Sequence, residues 1–167
     1  DTGRHFVAGM QKHLRELSLM WAPTINSYKR YQPGSFAPTA IRWGRDNRTC
    51  ALRLVGHGPS LRVENRVPGG DVNPYLAVAG MIAAGLDGIE KGMTLEPRFD
   101  GNAYALESDR VPHTLAMSRD LWADSEWAKA TFGQTVHKHY TRAADVELEQ
   151  FNRAITDWER FRGFERY

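Results

Sequence analysis

The stretch TAIRWGRDNRTCALRLVGHGPSLRVENRV, residues 39–67, decides how the chain reads. It divides into three runs carrying β-branched and apolar residues, at 39–44, 49–55 and 61–67. Asp46-Asn47 separates the first two, and Gly56-His57-Gly58-Pro59 the last two. Asn and Asp tolerate left-handed backbone, while Gly and Pro preset turn dihedrals, so both interruptions predict turns between strands. A small antiparallel sheet is expected, with its arginines on or beside the strands.

Working outward, Phe6, Met10, Leu14, Leu17 and Trp21 recur at helical spacing and predict one helix over 4–21, stopped by Pro23. Asn26-Ser27-Tyr28, Gln32-Pro33-Gly34-Ser35 and Pro38 give 26–38 the composition of a loop. After the strands, Asn73-Pro74 reads as an N-cap followed by proline in the first helical turn. The helix from 75 to about 90 is rich in small residues (Ala77, Ala79, Gly80, Ala83, Ala84, Gly85), which predicts burial against close neighbours. Residues 92–111 read as irregular. Pro112 opens a helix to about 121, Asp124-Ser125-Glu126 caps another, and Gly133 separates that from a last helix over 134–160. Phe151, Ile155 and Trp158 form one stripe on it, expected to be core or subunit interface. The fold class is therefore α+β: a helix over 1–25, loop and strands over 26–72, and a helical scaffold over 73–167.

At 167 residues the chain suits one compact domain, and 41% hydrophobic with 25% charged residues excludes a disordered or fibrous class. Its single cysteine, Cys50, excludes an internal disulfide and is expected to be a small buried residue. No Cys/His spacing suggests structural zinc. The longest nearly uncharged apolar run, 74–86, is too short to span a bilayer, and no signal-peptide pattern opens the chain. No membrane partner and a cytoplasmic setting are expected. The net charge of +2 conceals an asymmetry: through Arg66 there are eleven basic against four acidic residues, and nine of the eleven are arginine. Arginine's planar fork suits carboxylate and phosphate, a preference that a merely solvated surface does not need.

Three constellations could carry chemistry. In Arg62-Val63-Glu64-Asn65-Arg66, the alternation of a strand puts Arg62, Glu64 and Arg66 on one face. A carboxylate between guanidiniums can bind a hard cation such as Mg²⁺ beside an anionic substrate. The same pattern equally describes a cross-strand ion-pair ladder. Arg45-Asp46-Asn47-Arg48 with Arg53 gathers guanidiniums at a tight turn, able to meet a polyphosphate or the charge of phosphoryl transfer, or to be a plain surface turn. There is no Walker loop or Rossmann fingerprint, so a nucleotide would be held by side chains and metal. Tyr28-Lys29-Arg30-Tyr31 has the texture of a nucleic-acid binder, although the near-neutral overall charge argues against that. His137 and His139 do not share a helix face and are expected at the surface. His57 reads as a loop residue within reach of a ligand.

Taken together, the segments resemble the C-terminal part of the catalytic domain of the glutamine synthetase family. The residues carrying the resemblance are Asn26-Ser27-Tyr28-Lys29-Arg30, Pro33-Gly34, Ala37-Pro38, Arg45-Asp46-Asn47-Arg48, Glu64-Asn65-Arg66, Asn73-Pro74-Tyr75-Leu76 and Ala83-Ala84-Gly85-Leu86-Asp87-Gly88-Ile89. The resemblance implies an ATP- and Mg²⁺-dependent (or Mn²⁺-dependent) ligase that phosphorylates the γ-carboxylate of glutamate before an amine attacks. It also implies roles residue by residue. Arg30 and Arg66 would hold glutamate. Arg48 and Arg53 would meet ATP phosphates, with Arg48 catalytic at the transferring phosphoryl group. Glu64 would ligate a metal.

Two departures follow. Members that use ammonia carry a glutamate directly before Ala-Pro in the loop, and here that position is Phe36. A phenyl ring neither attracts ammonium nor takes its proton, but it can line a pocket for an alkyl amine. The chain therefore resembles the γ-glutamyl-amide branch, which uses polyamines, ethanolamine or similar amines, with glutamine synthetase itself as the alternative. A non-catalytic nucleic-acid or protein-binding module is the alternative of another class. The second departure is that most of the family's metal and nucleotide ligands would lie upstream of residue 1. Residues 1–167 are thus expected to be a C-terminal portion, inactive alone, of a protein that forms a homo-oligomeric ring acting on small molecules without nucleic acid.

Overall fold

In the computed structural model, which describes residues 1–107 and 109–166, the chain enters through α1 (Thr2–His13) and α2 (Ser18–Trp21). The single helix expected over 4–21 is interrupted because residues 14–17 tighten into shorter-range bonds. The Leu14 N–H donates to Gln11 at 3.4 Å, and the Ser18 hydroxyl turns back to the Leu14 carbonyl at 3.0 Å. The apolar face survives the interruption, since Met10, Leu14, Leu17 and Trp21 are all fully buried.

Three strands follow: β1 (Ala40–Arg45), β2 (Cys50–Val55) and β3 (Arg62–Asn65), in the spatial order β1-β2-β3. The β2–β3 pair is antiparallel, as the Gly-Pro turn predicts. The β1–β2 pair is parallel, running from Ala40 beside Cys50 to Arg45 beside Leu54, so the sheet is mixed and not antiparallel throughout. A parallel pair ordinarily needs a crossover of a dozen residues. Here residues 46–49 run back along β1. Five extended steps reach about 18 Å, just over the ~17 Å length of the strand they must retrace. The return begins at Asp46, whose φ of 50° lies in the left-handed region. It also explains Gly44, where a Cβ would fall 2.7 Å from the Asn47 Cβ and 2.9 Å from the Phe99 carbonyl oxygen.

Against α1 packs α3 (Pro74–Glu90), capped as predicted by the Asn73 side chain, which accepts from Tyr75 and Leu76 N–H groups. Its small residues form a seam with α1 and, at Ala77 and Gly80, with Trp21 of α2. Val7 and Ala8 of α1 and Ala77, Gly80, Ala84 and Gly85 of α3 are buried, and a Cβ added to Gly88 would sit 2.7 Å from the Gly9 Cα. Only glycine lets the two backbones approach so closely. A second layer comprises α4 (Leu115–Ala123), α5 (Glu126–Phe132) and α6 (Gln134–Arg153). Thr114 rather than Pro112 caps α4, whereas the Ser125 cap and the Gly133 break (φ 82°) fall where the sequence puts them. His137 is buried, not on the surface. Its ring stacks on Trp122 with centroids 5.3 Å apart, and its Nε2 lies 2.7 Å from the Trp122 carbonyl oxygen.

The helix expected over 134–160 ends at Arg153 and restarts as α7 (Asp157–Arg166). The restart is a capping box: Thr156 N–H donates to Glu159 Oε2 at 2.7 Å, and the Thr156 hydroxyl accepts from the Glu159 N–H. Phe151, Ile155 and Trp158 are all exposed, so this stripe is not core of this chain. No helix among the described residues is long and apolar enough to cross a membrane.

The α1–α3 seam gives a direct test. Gly88→Ala should lower the unfolding free energy by about 1–3 kcal/mol through overpacking. Gly3→Ala, where an added Cβ meets nothing within 4 Å, should raise it by about 0.5–1 kcal/mol through helix propensity. Urea unfolding midpoints moving in opposite directions would confirm the seam; equal shifts would refute it.

Candidate active site

Glu64 on β3 stands directly across from Arg53 on β2, and Arg53 Nη1 donates to Glu64 Oε2 at 2.8 Å. Arg66, one residue past β3, bonds the other oxygen of the same carboxylate. Arg53 reaches onward to Asp46 in the return turn. The ion-pair reading of this strand is what the structure shows, on the carboxylate to which the metal-ligand reading also points. Burial alone would raise the Glu64 carboxyl, but hydrogen bonds and charge from Arg53 and Arg66 outweigh it and hold it below the ordinary range. The Arg53 hydrogen bond does the same for Asp46, and the two carboxylates in turn raise Arg53.

Two further donors of Arg66 go to backbone. Its Nη2 donates to the Phe36 carbonyl at 2.9 Å, and its Nε to the Arg48 carbonyl at 3.2 Å. One guanidinium therefore ties the Phe36 loop, the Arg48 turn and Glu64 together. Arg30 grips the chain leaving β3, donating to Val67 at 3.0 Å, Arg66 at 3.1 Å and Pro68 at 3.3 Å, with the Tyr31 hydroxyl also on Val67. Arg48 differs from these. It is exposed, and among the described residues its guanidinium has no hydrogen bond or ion pair. With Arg45, Asp46, Asn47, Arg53, Asp100 and Gly101 it lines an open groove of about 500 Å³. Arg45 donates to His57 Nδ1 at 2.9 Å, which engages His57 with the groove's rim, and Arg62 lies exposed at the far end of β3.

Phe36 is 65% exposed and has φ of 62°. A left-handed conformation costs a bulky residue about 1–2 kcal/mol, so surrounding contacts must hold it. Besides Arg66 on its own carbonyl, the Tyr104 hydroxyl donates to the next carbonyl, Ala37, at 3.0 Å. Sequence reading passes over Tyr104, because nothing in the irregular stretch 92–111 forms a motif. By contrast Tyr28 and Tyr31 are buried in the core, and burial pushes the Tyr31 hydroxyl up to about 12. The aromatic half of the Tyr28-Lys29-Arg30-Tyr31 texture is thus closed to stacking on bases.

Glu64 fits a divalent cation as one ligand, being ionised and 39% exposed at its side chain. It does not make a site unaided, since a hard cation takes about six oxygens and no group of three or more His, Cys, Asp or Glu residues is gathered among the described residues. The groove, with three guanidiniums at its walls, fits a polyphosphate.

Four arginines, an ionised carboxylate and an open groove thus share one wall of the fold. Residues 1–162 match the family model described as glutamine synthetase, catalytic domain, and the chain belongs to the glutamine synthetase family. It is 61% identical over 166 residues to the gamma-glutamylethanolamide synthetase of Streptomyces coelicolor, covering 99% of this chain and 36% of that protein. It is 42% identical over 164 residues to type-1 glutamine synthetase 2 of Dictyostelium discoideum, covering 95% and 32%. A solved structure of a GmaS/ADP complex superposes with a TM-score of 0.84 at 31% identity, covering 95% of this chain and 38% of that one. The chain spans about a third of the length of the curated relatives it matches.

The Glu64 junction predicts a pH dependence. A carboxyl held below its unfolded value contributes stability that is complete above that value and is lost as pH falls through the folded one. Unfolding temperature should therefore drop as pH falls below about 4.5. Glu64→Gln should melt lower at pH 7 and show a flatter acid limb. Parallel curves for the two proteins would show that the junction does not stabilise the fold.

Proposed function

We propose that this chain supplies the glutamate- and phosphate-facing wall of an ATP-dependent ligase joining glutamate to a primary amine as a γ-glutamyl amide. The observation that carries the reading is Phe36. An exposed aromatic ring occupies the loop position where an ammonia-using site needs a carboxylate, and that loop is wired through Arg66 to Glu64 and the Arg48 turn. The high identity to a gamma-glutamylethanolamide synthetase supports it.

In this reading the glutamate γ-carboxylate attacks the terminal phosphorus of ATP, and the bond to ADP breaks. The amine nitrogen then attacks the acyl carbon, the bond to phosphate breaks, and the amine gives up a proton. Arg48, uncommitted and at the groove, faces the transferring phosphoryl group, where a guanidinium stabilises developing charge. Arg53 borders the same phosphates but is held by Asp46 and Glu64, so it fixes the edge of the groove. Arg30 and Arg66 face glutamate with the N–H groups that their backbone contacts leave over. Glu64 offers one ligand to Mg²⁺ or Mn²⁺, and a divalent cation bound there neutralises phosphate charge. Phe36 shapes an apolar amine pocket and excludes water. Residues 1–167 are the C-terminal portion of that catalytic domain, with the other metal ligands supplied from outside it, in a homo-oligomeric ring.

Glutamine synthetase activity is the second reading, favoured by the identity to the Dictyostelium enzyme. Full-length protein given ATP, Mg²⁺, glutamate and a panel of amines decides between them. Turnover with at least one primary amine should exceed that with ammonium, and Phe36→Glu should move the preference toward ammonium. Equal or better use of ammonium by the unaltered enzyme would overturn the amide reading. Arg48→Ala should lower kcat about 10²–10³-fold with a smaller effect on the KM for the amine. An unchanged kcat would remove Arg48 from phosphoryl transfer.

A further inference from the structure

We infer that Tyr104 is a positioning residue for amine specificity. Its hydroxyl, together with Arg66, clamps two consecutive carbonyls of the 33–38 loop and so fixes where the Phe36 ring stands. The inference rests on the amide-ligase reading and adds to it a residue that no motif marks.

Three observations carry it. The Phe36 ring is mostly exposed, so side-chain packing does not hold it, and its direction is set by a left-handed backbone that bulky residues avoid. The two carbonyls following that backbone turn are each held by one side chain: Phe36 by Arg66 Nη2 at 2.9 Å, and Ala37 by the Tyr104 hydroxyl at 3.0 Å. Releasing the Phe36 carbonyl would free the Phe36–Ala37 peptide, and releasing the Ala37 carbonyl would free the Ala37–Pro38 peptide next to it; either lets the Phe36 backbone relax toward ordinary dihedrals and carry the ring with it.

The third is that Tyr104 is itself anchored to the phosphate groove. It lies in a single 3-10 turn, Ala103–Ala105, whose start is capped by Asn102. The Ala103 N–H donates to Thr49 Oγ1 at 2.9 Å, and Asn47 Nδ2 donates to the Gly101 carbonyl at 2.9 Å. Ala103 is fully buried beside Ala40 and Cys50. The turn carrying Arg48 and the loop carrying Phe36 therefore share one support, and Tyr104 is its contact with the loop. The ligand whose fit this support governs is the carbon chain of a primary amine, whose methylenes can lie against a phenyl face.

The test uses full-length enzyme with ATP, glutamate and ethanolamine. Tyr104→Phe keeps the ring and removes one donor. It should raise the KM for ethanolamine about five- to tenfold while leaving the KM for ATP and glutamate within about twofold, the size expected from one lost hydrogen bond. Amide hydrogen exchange at Ser35 and Ala37, whose N–H groups donate to the Gln32 carbonyl and the Ser35 hydroxyl, should quicken in the same variant, a readout independent of turnover. In a Phe36→Ala background, adding Tyr104→Phe should change the ethanolamine KM no further, because the ring that the clamp positions is gone. An unchanged KM and exchange rate in Tyr104→Phe, an equal rise in all three KM values, or full additivity with Phe36→Ala would overturn the inference. Failure of the amide-ligase reading is seen separately, as a preference of the unaltered enzyme for ammonium.

Discussion

Two guanidiniums share the Glu64 carboxylate, and the geometry of the site follows from that arrangement. Arg53 and Arg66 repel each other unless an anion lies between them, and each binds one oxygen of Glu64. With the charges balanced, their leftover donors reach the surrounding chain. Arg53 fixes the return turn through Asp46, and Arg66 fixes the Phe36 loop and the Arg48 backbone. Segments far apart in sequence are thereby held in one frame without being strands of one sheet. A guanidinium offers five donors in a rigid fork, so lysine could not replace Arg66 in three simultaneous contacts of this kind.

Behind this frame the packing is of a different kind. The α1–α3 seam depends on missing side chains, with Gly9 against Gly88 and Gly85 against the Phe6 ring. A buried polar staple locks its lower end. His13 lies between Glu16 on Nδ1 and Asp87, 2.8 Å from Nε2, and stacks on Trp127 at 3.6 Å. Ser125 donates to Glu16, so α1, α3 and the start of α5 meet at one network. Burial would raise Glu16 and Asp87, but their hydrogen bonds, to His13 and Ser125 and to Lys91 and His13 respectively, keep both below the ordinary range.

Much of this was legible in the sequence where local chemistry decides the outcome. Asn73-Pro74 caps a helix whatever surrounds it, Gly133 ends one, and strand alternation puts Glu64 on the face of Arg66, with which it pairs. What stayed hidden depends on distant contacts. Asp46-Asn47 looks like an ordinary hairpin turn, and only the close fit of Gly44 against Asn47 and Phe99 shows the chain doubling back to pair in parallel. His137 sits among charged residues in sequence, yet Trp122 gives it a ring to stack on and a carbonyl to pair with. Thr156-Asp157-Trp158-Glu159 is a capping box that a periodicity argument runs straight through. The site arginines were legible as a set, but their division of labour was not. Backbone contacts commit Arg30 and Arg66 and leave Arg48 exposed, and no spacing rule encodes that.

The same wiring bears on where the proton of the reaction goes. An alkylamine resembles lysine, with an ordinary pKa near 10.4, so at neutral pH it arrives mostly protonated and must shed a proton to attack. Phe36 cannot accept it. Asp46 and Glu64, the two carboxylates bound to the site arginines, are held below their ordinary range, and a carboxylate of lowered pKa is a weaker base still. On the amide-ligase reading, the electrostatics that would suit this wall to phosphate and metal thus make it poor at deprotonation. On the amide-ligase reading, these residues bind anions, shape the amine pocket and keep water out. The proton leaves by a route that neither arginine-bound carboxylate provides.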